Sequence, residues 1–320
     1  MILITGGTGF LGSNILFSLT KEKKIISLYR SQSKIDLVKK FFINKSTKGQ
    51  NFFKNIIWKK CDLLNFSELD EVLSEVSYII HCAGLVSFSS SDKKKLNQIN
   101  ITGTSNIVNL SIKHKIKKII FVSSISALTN DNPNKYLIHL NNENKKELNS
   151  YYGFTKKMAE LEIWRASQEG IQVNIVSPGV ILGDGVYNKF YKSIYNYTRK
   201  KILFYTDGSL SIVKIEDVIN SIIELLNSNI KNQKIILVSK NIKCSDFLYF
   251  LTKKNNYKQY YLKIPKYIFI ILIVLEKFFS VLLFRKSILS FNLINSLFND
   301  YEVKGTDIYK KLKLKYSKIF

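Results

Sequence analysis

Residues 2–12 read Ile2-Leu3-Ile4-Thr5-Gly6-Gly7-Thr8-Gly9-Phe10-Leu11-Gly12, an apolar run followed by a glycine-rich turn. A short strand that enters a G-x-x-G-x-x-G turn and then a helix is typical of a dinucleotide-binding βα unit. In this interpretation Gly6 makes the tight turn, Gly9 lets a pyrophosphate approach the helix N-terminus, and Gly12 lets the helix pack closely. The cofactor contacts expected in this turn are Gly6, Gly9, Phe10, Leu11 and Gly12.

The first half of the chain alternates short apolar runs with amphipathic segments. The candidate strands are Ile2–Thr5, Ile25–Tyr29, Ile56–Lys59, Tyr78–Cys82, Ile119–Ser123 and Val173–Val176. The helix-like segments lie near residues 10–20, 66–74, 94–113 and 153–169. This alternation predicts an α/β fold of the Rossmann type, with a doubly wound parallel sheet between two layers of helices.

The pattern loosens after Pro178, and the second half is expected to form a smaller C-terminal substrate-binding domain. Residues 187–200 and 216–228 look helical, and Ile235–Val238 looks like one more strand. The polar stretch 130–150 predicts an exposed loop. We therefore divide the chain into a dinucleotide-binding domain, residues 1–176, and a mainly substrate-binding domain, residues 177–320. Segments of roughly 211–240 are expected to return to the first domain.

The chain is strongly basic, with 49 Lys and Arg residues against 24 Asp and Glu residues and a net charge of +25. Only four of the basic residues are Arg and the lysines are spread along the chain, which argues against nucleic-acid binding. Attraction to anionic membrane surfaces fits better.

The three cysteines and three histidines are too scattered for a disulfide framework or a metal site. No secretory signal is recognised, so the protein is expected to be cytoplasmic.

The end of the second candidate strand indicates which dinucleotide is expected. It reads Ser27-Leu28-Tyr29-Arg30-Ser31 and lacks the Asp or Glu that NAD enzymes usually place there. Arg30 could instead bind a 2′-phosphate with help from Ser31 or Lys34, although a solvated strand end is the plainer alternative. We therefore predict NADP as the cofactor, with NAD as the alternative.

Two further strand ends are expected to line the cofactor site. Asp62, in Cys61-Asp62-Leu63, is positioned to accept a hydrogen bond from the adenine amino group, or it is an ordinary loop residue. Ala83 and Gly84 follow the fourth strand, where small side chains let the ribose and nicotinamide lie against the backbone. His81 is interpreted as a packed strand-end histidine. The cofactor contacts expected here are Asp62, Leu63, Ala83 and Gly84.

The residues that could carry chemistry follow the fifth strand and open a later helix. The strand ends Phe121-Val122-Ser123-Ser124, and Tyr152-Gly153-Phe154-Thr155-Lys156 gives a Y-x-x-x-K spacing that puts Tyr152 and Lys156 on one helix face. A phenol with a pKa near ~10 is a poor base at neutral pH, and a neighbouring ammonium and a positively charged nicotinamide would both lower that pKa. Tyr152 could then exchange a proton with a substrate oxygen that Ser124 orients.

Taken together, these motifs resemble the extended short-chain dehydrogenase/reductase superfamily, also called the NAD-dependent epimerase/dehydratase family. The closest likeness is to its dihydroflavonol reductase and hydroxysteroid dehydrogenase-like branch. The resemblance covers nearly the whole chain and is carried by Thr5–Gly12, Cys61–Leu63, His81–Gly84, Asn100–Thr104, Ser123-Ser124, Tyr152–Lys156, Pro178-Gly179 and Val213–Asp217.

The resemblance implies particular site residues. It implies Ser124, Tyr152 and Lys156 as the catalytic residues, with Tyr152 and Lys156 also touching the cofactor. Ser124 is preferred to Ser123 because the family's catalytic hydroxyl is the second of the pair. The resemblance also implies that Asn100 braces the active site and that Pro178 and Val180 lie beside the nicotinamide.

Two departures from the family pattern matter. Ser177 stands where nucleotide-sugar enzymes usually carry Arg or another polar residue, and Ile125-Ser126 lacks the acid of the dehydratases.

Three functions remain open at this stage. The first is an NAD(P)-dependent oxidoreductase that transfers a hydride between the nicotinamide and a carbonyl or alcohol of a small, apolar substrate. The alternative is a nucleotide-sugar epimerase, which the scarcity of Arg after residue 177 disfavours. A non-catalytic NADP sensor or scaffold is the third. Homodimerisation also stays open.

One apolar segment fits none of the cofactor motifs. Residues 264–284 form an apolar, aromatic-rich run that Glu276-Lys277 interrupts and that Lys263, Lys266, Arg285 and Lys286 flank. The three interpretations are a helix buried in the substrate domain or over the pocket, an interfacial helix on the inner face of a membrane, and a spanning helix. The two internal charges make spanning the least favoured.

Overall fold

The computed structural model describes residues 1–128, 137–139, 150–186, 189–253, 258–282, 297–298 and 301–319. The strands are β1 Ile2–Thr5, β2 Ile25–Tyr29, β3 Ile56–Lys60, β4 Tyr78–His81, β5 Lys118–Val122, β6 Leu137–His139, β7 Gln172–Pro178, β8 Val180–Leu182, β9 Ile202–Tyr205, β10 Ser209–Lys214, β11 Gln233–Leu237, β12 Lys240–Lys243, β13 Tyr260–Lys263 and β14 Tyr301–Val303. The α-helices are α1 Phe10–Leu19, α2 Gln32–Lys45, α3 Gly49–Lys54, α4 Phe66–Leu73, α5 Lys93–Leu96, α6 Gly103–Lys113, α7 Tyr151–Gln168, α8 Lys189–Thr198, α9 Ile215–Asn227, α10 Cys244–Thr252, α11 Lys266–Leu282 and α12 Ile308–Leu312.

Seven strands form the central sheet, in the order β11-β7-β5-β4-β1-β2-β3. All six pairings are parallel. Because the order runs outward from β1 in both directions, the carboxyl ends of β1 and β4 meet at a topological switch point, where ligands of such sheets bind. The predicted doubly wound α/β sheet is confirmed.

The two faces of this sheet are covered by different helices. Side chains of α1, α2 and α9 pack with the sheet in one apolar cluster, and side chains of α4, α6 and α7 pack in a second. The inner strands between them are almost entirely buried, as in β5, where all five residues are buried, whereas the edge strand β3 is mostly half-buried. Continuous apolar strands are expected where helices cover both faces of a parallel sheet.

Smaller sheets are built mainly from the second half of the chain. Strands β8, β10 and β12 form a three-stranded sheet, β9 pairs with β13, and β6 pairs with β14. Within the range 211–240, β11 therefore joins the central sheet, whereas most of β10 and the start of β12 lie in the three-stranded sheet. Helix α9 packs on the central sheet.

Several local expectations need correction. Helices α2 and α3 were not predicted, although Ile35, Val38 and Phe42 are buried at helical spacing along α2. The segment 94–113 is not one regular helix, because a π-helical stretch, Asn97–Thr102, separates α5 from α6. The predicted loop 130–150 contains the strand β6, whose Leu137–His139 pairs with β14. The rest of that range, up to residue 149, lies outside the described residues.

Candidate active site

The ends of β1 to β4 enclose a groove of about 210 Å³ at the carboxyl edge of the sheet. Seven of the predicted cofactor residues line it, namely Gly6, Gly9, Arg30, Asp62, Leu63, Ala83 and Gly84. Phe10, Leu11 and Gly12 form the first turn of α1 beside the groove. Pro178 ends β7 and Val180 opens β8, and neither residue lines this groove.

The shape of the turn explains why glycine is needed at two of these positions. Gly6 adopts a φ of +73°, and a Cβ there would lie 2.7 Å from the backbone nitrogen of Ala83. A Cβ on Gly12 would lie 2.3 Å from the carbonyl oxygen of Gly6. Any side chain at either position would push α1 or the end of β4 away, so the glycines allow the close packing that forms the groove.

The same turn fits the pyrophosphate of a dinucleotide. A Cβ on Gly9 would meet only the carbonyl oxygen of Gly6, at 3.2 Å, so this glycine is otherwise open. Gly9 is also the N-cap of α1 and supplies no side chain to its first turn. The first backbone N–H groups of a helix lack intrahelical partners and attract anions. Glycine at this position therefore leaves the N-terminus of α1 accessible from the groove.

Arg30 and Asp62 lie together in the lining of the groove. Arg30 Nη1 and Asp62 Oδ2 are 3.6 Å apart, and both side chains are about half exposed. Asp62 Oδ1 also accepts a hydrogen bond of 3.0 Å from the Leu64 backbone N–H. The sequence analysis treated these two residues as separate ligands. The structure shows instead that they form an exposed ion pair with each other, so any phosphate bound by Arg30 would compete with Asp62.

Ser124 and Tyr152 are brought together by the start of α7. Gly153 packs so closely on the short 3-10 turn Ile125–Ala127 that a Cβ on it would lie 2.1 Å from the Ser126 carbonyl oxygen. The side chains of Tyr152 and Ser124 are hydrogen-bonded. The neighbouring Ser123 hydroxyl is buried without a hydrogen-bond partner in the described part of the chain. The geometry therefore places Ser124, rather than Ser123, against the tyrosine.

Lys156 lies one turn further along α7 and is almost completely buried. Its Nζ donates a hydrogen bond of 2.6 Å to the carbonyl oxygen of Val122 and lies 4.1 Å from the centre of the Phe121 ring. Burial lowers the pKa of Lys156 to about 8, against the opposing effects of Glu160 and Cys82. A partly neutral lysine at the upper end of the physiological pH range follows from this position.

The pKa of Tyr152 is raised rather than lowered. Burial raises the pKa of Tyr152 to about 12, and only the hydrogen bond from Ser124 acts in the other direction. The sequence analysis expected the lysine ammonium to lower this pKa. In the structure the ammonium donates to the Val122 carbonyl and lies over the Phe121 ring.

Asn100 connects the loop after β4 to the catalytic helix. Its Oδ1 accepts a hydrogen bond of 2.7 Å from the Leu85 N–H, and its Nδ2 donates to the Leu85 carbonyl and to Thr155 Oγ1, each at 3.0 Å. Asn100 lies in the π-helical stretch, an irregularity frequent at functional sites. The structure therefore gives Asn100 the bracing position that the family resemblance implied. Thr155 was missed, because nothing in its sequence context marks it.

His81 fixes the end of β1 through a chain of buried hydrogen bonds. Thr104 donates its hydroxyl proton to the Asn100 carbonyl, so it accepts from His81 Nε2 at 3.0 Å. His81 Nδ1 must then accept from the Thr5 hydroxyl at 2.6 Å. Burial lowers the pKa of His81 to about 3, so the ring is neutral. This arrangement agrees with the interpretation of His81 as a packed residue.

Glu160 is a buried charge next to Lys156 that the sequence analysis overlooked. Its Oε2 accepts a hydrogen bond of 2.6 Å from Lys234 Nζ, and its Oε1 lies 3.4 Å from the Ser177 hydroxyl. It follows Lys156 by four residues and raises the pKa of that lysine. The spacing Y-x-x-x-K-x-x-x-E could have revealed it, because i and i+4 side chains share a helix face.

The chain was compared with known proteins. A sequence model of an NAD-binding family, described as Male sterility protein, matches residues 4–222. Sterol demethylase protein B of Methylococcus capsulatus is 20% identical over 266 residues, which cover 82% of this chain and 77% of that protein. A putative dihydroflavonol 4-reductase of Synechocystis is 25% identical over 218 residues, which cover 67% of this chain and 60% of that protein.

A solved structure gives the same fold over the whole chain. The UDP-glucuronic acid 4-epimerase of Bacillus cereus, in complex with UDP-glucuronic acid and NAD, superimposes with a TM-score of 0.72. The match covers 99% of this chain and 94% of that one at 16% identity, so it concerns the fold alone. With the glycine turn, the groove and the Ser124–Tyr152 pair, the family match leads to one conclusion. The chain belongs to the NAD-binding family described as Male sterility protein, within the extended short-chain dehydrogenase/reductase superfamily of NAD-dependent enzymes.

Proposed function

We propose that this protein is an NADP-dependent oxidoreductase that reduces a carbonyl group of a small, apolar substrate. The observation that carries the proposal is the hydrogen-bonded pair of Ser124 and Tyr152, one helical turn before the buried Lys156, whose Nζ would lie 3.8 Å from a Cβ on the groove residue Gly84. The Gly6–Gly12 turn, Ala83 and Gly84 would hold the cofactor. When bound, the cofactor supplies the hydride.

The Tyr152 hydroxyl is suited to act as the proton donor when a carbonyl is reduced. With a pKa raised to about 12, the tyrosine hydroxyl carries its proton at neutral pH. A protonated phenol can donate to the oxygen of a carbonyl that gains a hydride, whereas oxidation of an alcohol would need the phenolate. Ser124 is assigned to orient the same oxygen through its own hydroxyl.

Lys156 and its partners position the cofactor rather than the substrate in this proposal. A Cβ on Gly84 would lie 3.8 Å from Lys156 Nζ, so the ammonium faces the small residues at the end of the groove. Its hydrogen bond to Val122 holds it there and leaves further N–H donors for the cofactor ribose. Asn100 supports the loop that carries Gly84 by bonding both backbone groups of Leu85.

The surroundings of Tyr152 favour an apolar substrate. The Phe88 ring lies edge-on to the Tyr152 ring, with centroids 6.1 Å apart. Val86, on the same loop, is 64% exposed, which leaves an apolar surface near the catalytic hydroxyl. The name of the Synechocystis relative, a putative dihydroflavonol 4-reductase, is consistent with an apolar carbonyl substrate.

The test is a turnover assay with a panel of aromatic and aliphatic aldehydes and ketones, in which the loss of NADPH absorbance is monitored. Tyr152→Phe should lower turnover roughly 10²–10⁴-fold, the usual contribution of a positioned proton donor. Its NADPH affinity should stay within about twofold, because the ring still packs. Tyr151→Phe is the matched control, since the Tyr151 hydroxyl bonds Asn97 instead.

Two results would overturn the proposal. Turnover in Tyr152→Phe close to that of the wild type would remove the tyrosine from the reaction. A nucleotide sugar that co-purifies with the protein and is converted to its epimer, without net consumption of NADPH, would make the protein an epimerase. Mass spectrometry of the purified protein distinguishes the second case.

A further inference from the structure

A patch of exposed apolar side chains lies on the outer face of the β9–β13 ribbon. Parallel pairing sets Ile202 beside Tyr260 and Phe204 beside Leu262. These four side chains therefore point to the same face, and each is 48–54% exposed. The alternate residue Leu203 is buried, so the ribbon has one packed face and one apolar face in solvent. A solvent-facing strand face is normally polar.

Helix α11 follows this ribbon directly in the chain and carries more exposed apolar side chains. It begins three residues after β13, and six of its apolar side chains are exposed, namely Tyr267, Ile268, Ile271, Leu272, Val274 and Leu275. Of its residues up to Glu276 only Ile273 is buried. The buried-helix interpretation of residues 264–284 is therefore wrong for this part. Residues 283 and 284 lie outside the described residues.

The exposed apolar side chains are concentrated here. Of twenty large apolar side chains left exposed in the described residues, ten belong to residues 202–204 and 260–275. We call these ten side chains the β9–α11 surface. Exposed apolar patches mark interaction sites.

Basic residues flank the β9–α11 surface in the sequence, and one of them, Lys263, pairs with Asp207 at 2.9 Å. Residues 199–207 and 258–276 contain six basic residues and two acidic residues. The basic residues are Arg199, Lys200, Lys201, Lys258, Lys263 and Lys266. Apolar side chains flanked by lysines are the pattern of peripheral attachment to an anionic lipid surface.

Two occupants of the β9–α11 surface can be weighed against each other. A second copy of the chain, docked by two-fold symmetry, would bring the same basic residues, so the like charges would repel. An anionic bilayer surface complements these basic residues and covers the apolar side chains. In the part of the chain that the structure describes, no helix is long and apolar enough to cross a bilayer. We propose that the β9–α11 surface binds the headgroup region of an anionic phospholipid bilayer.

The experiment is co-sedimentation of the full chain with vesicles of phosphatidylglycerol and phosphatidylcholine, and with vesicles of phosphatidylcholine alone. Binding to the anionic vesicles should exceed binding to the neutral ones and should fall as salt is added. Phe204→Ser with Ile271→Ser should weaken binding roughly tenfold or more, because two apolar side chains lose the lipid that covers them.

The matched control is Ile43→Ser with Leu161→Ser, two side chains of similar exposure outside the β9–α11 surface. It should bind vesicles like the wild type. Lys200→Glu with Lys201→Glu should weaken binding to anionic vesicles only. Thermal unfolding and NADPH affinity of each variant report whether it is folded.

Two outcomes would overturn the proposal. In one, folded Phe204→Ser with Ile271→Ser binds vesicles as tightly as the wild type. In the other, the wild type does not bind anionic vesicles. Sedimentation velocity can then show a dimer of the wild type that the Phe204→Ser with Ile271→Ser variant does not form. That last result would assign the surface to a second copy.

Discussion

Replacing Arg30 with alanine should weaken NADPH binding and leave NADH binding nearly unchanged. A charge-assisted hydrogen bond is worth about 1.5–3 kcal/mol. Arg30 is 58% exposed and lies 3.6 Å from Asp62, so water and the carboxylate both weaken its attraction for a 2′-phosphate. We therefore expect the lower end of that range, about 1.5 kcal/mol, which corresponds to roughly a tenfold rise in the NADPH dissociation constant.

The assay is a fluorescence titration of each cofactor into the wild type and into Arg30→Ala. Arg165→Ala is a suitable control, because Arg165 pairs with Glu162 on α7 and does not line the groove. Wild-type protein that binds NADH as tightly as NADPH would refute the assignment of Arg30 to a phosphate. So would an equal loss of both cofactors in Arg30→Ala, since NADH has no 2′-phosphate.

Three other results are expected. Cofactor affinity should fall as the pH rises above about 8, because the pKa of Lys156 is lowered to about 8 and the ammonium is lost there. Titrations of the cofactor into Lys156→Met over the same pH range should show no such fall. In Glu160→Gln the fall should begin at a lower pH, since the carboxylate raises the Lys156 pKa, and an unchanged onset would contradict this role. Gly153→Ala would place a Cβ 2.1 Å from the Ser126 carbonyl oxygen. Urea unfolding should show a loss of roughly 1–3 kcal/mol, with turnover reduced more than NADPH affinity, whereas unchanged stability would show that α7 adjusts freely.

The parts of the fold that were predictable are those in which local sequence and burial agree. Strand β1 and the Gly6–Gly12 turn could be identified because the apolar run and the glycine spacing that follows it are local features of the sequence, although the contact that requires Gly6 is with the distant Ala83. The central strands were visible because helices cover both faces, so they read as continuous apolar runs. Helix α2 carried a readable signal in the spacing of Ile35, Val38 and Phe42 that was missed.

Other features depend on tertiary contacts that sequence patterns do not encode. The sequence motif placed Lys156 one helical turn after Tyr152, but only the fold shows that its ammonium points to Val122. Arg30 and Asp62 are separated by a helical segment in the sequence, so their ion pair follows from the pairing of β2 with β3. No sequence pattern marks the π-helical stretch around Asn100. The hydrogen bonds of the Asn100 side chain run to Leu85 and Thr155, which lie outside that stretch.

The place of β11 in the sheet has a consequence for biosynthesis. Strand β7 ends at Pro178, but β11, which pairs with its outer edge, begins only at Gln233. While the intervening residues are being translated, the nascent sheet has an open edge at β7, whose buried side chains are largely apolar. Unpaired edges of this kind can recruit strands from other chains. In the complete sheet β11 covers that edge, and Thr306 in turn bonds both backbone groups of Ile236 on its outer side. A fragment that stops at residue 222, where the family match ends, would leave this edge open to aggregation.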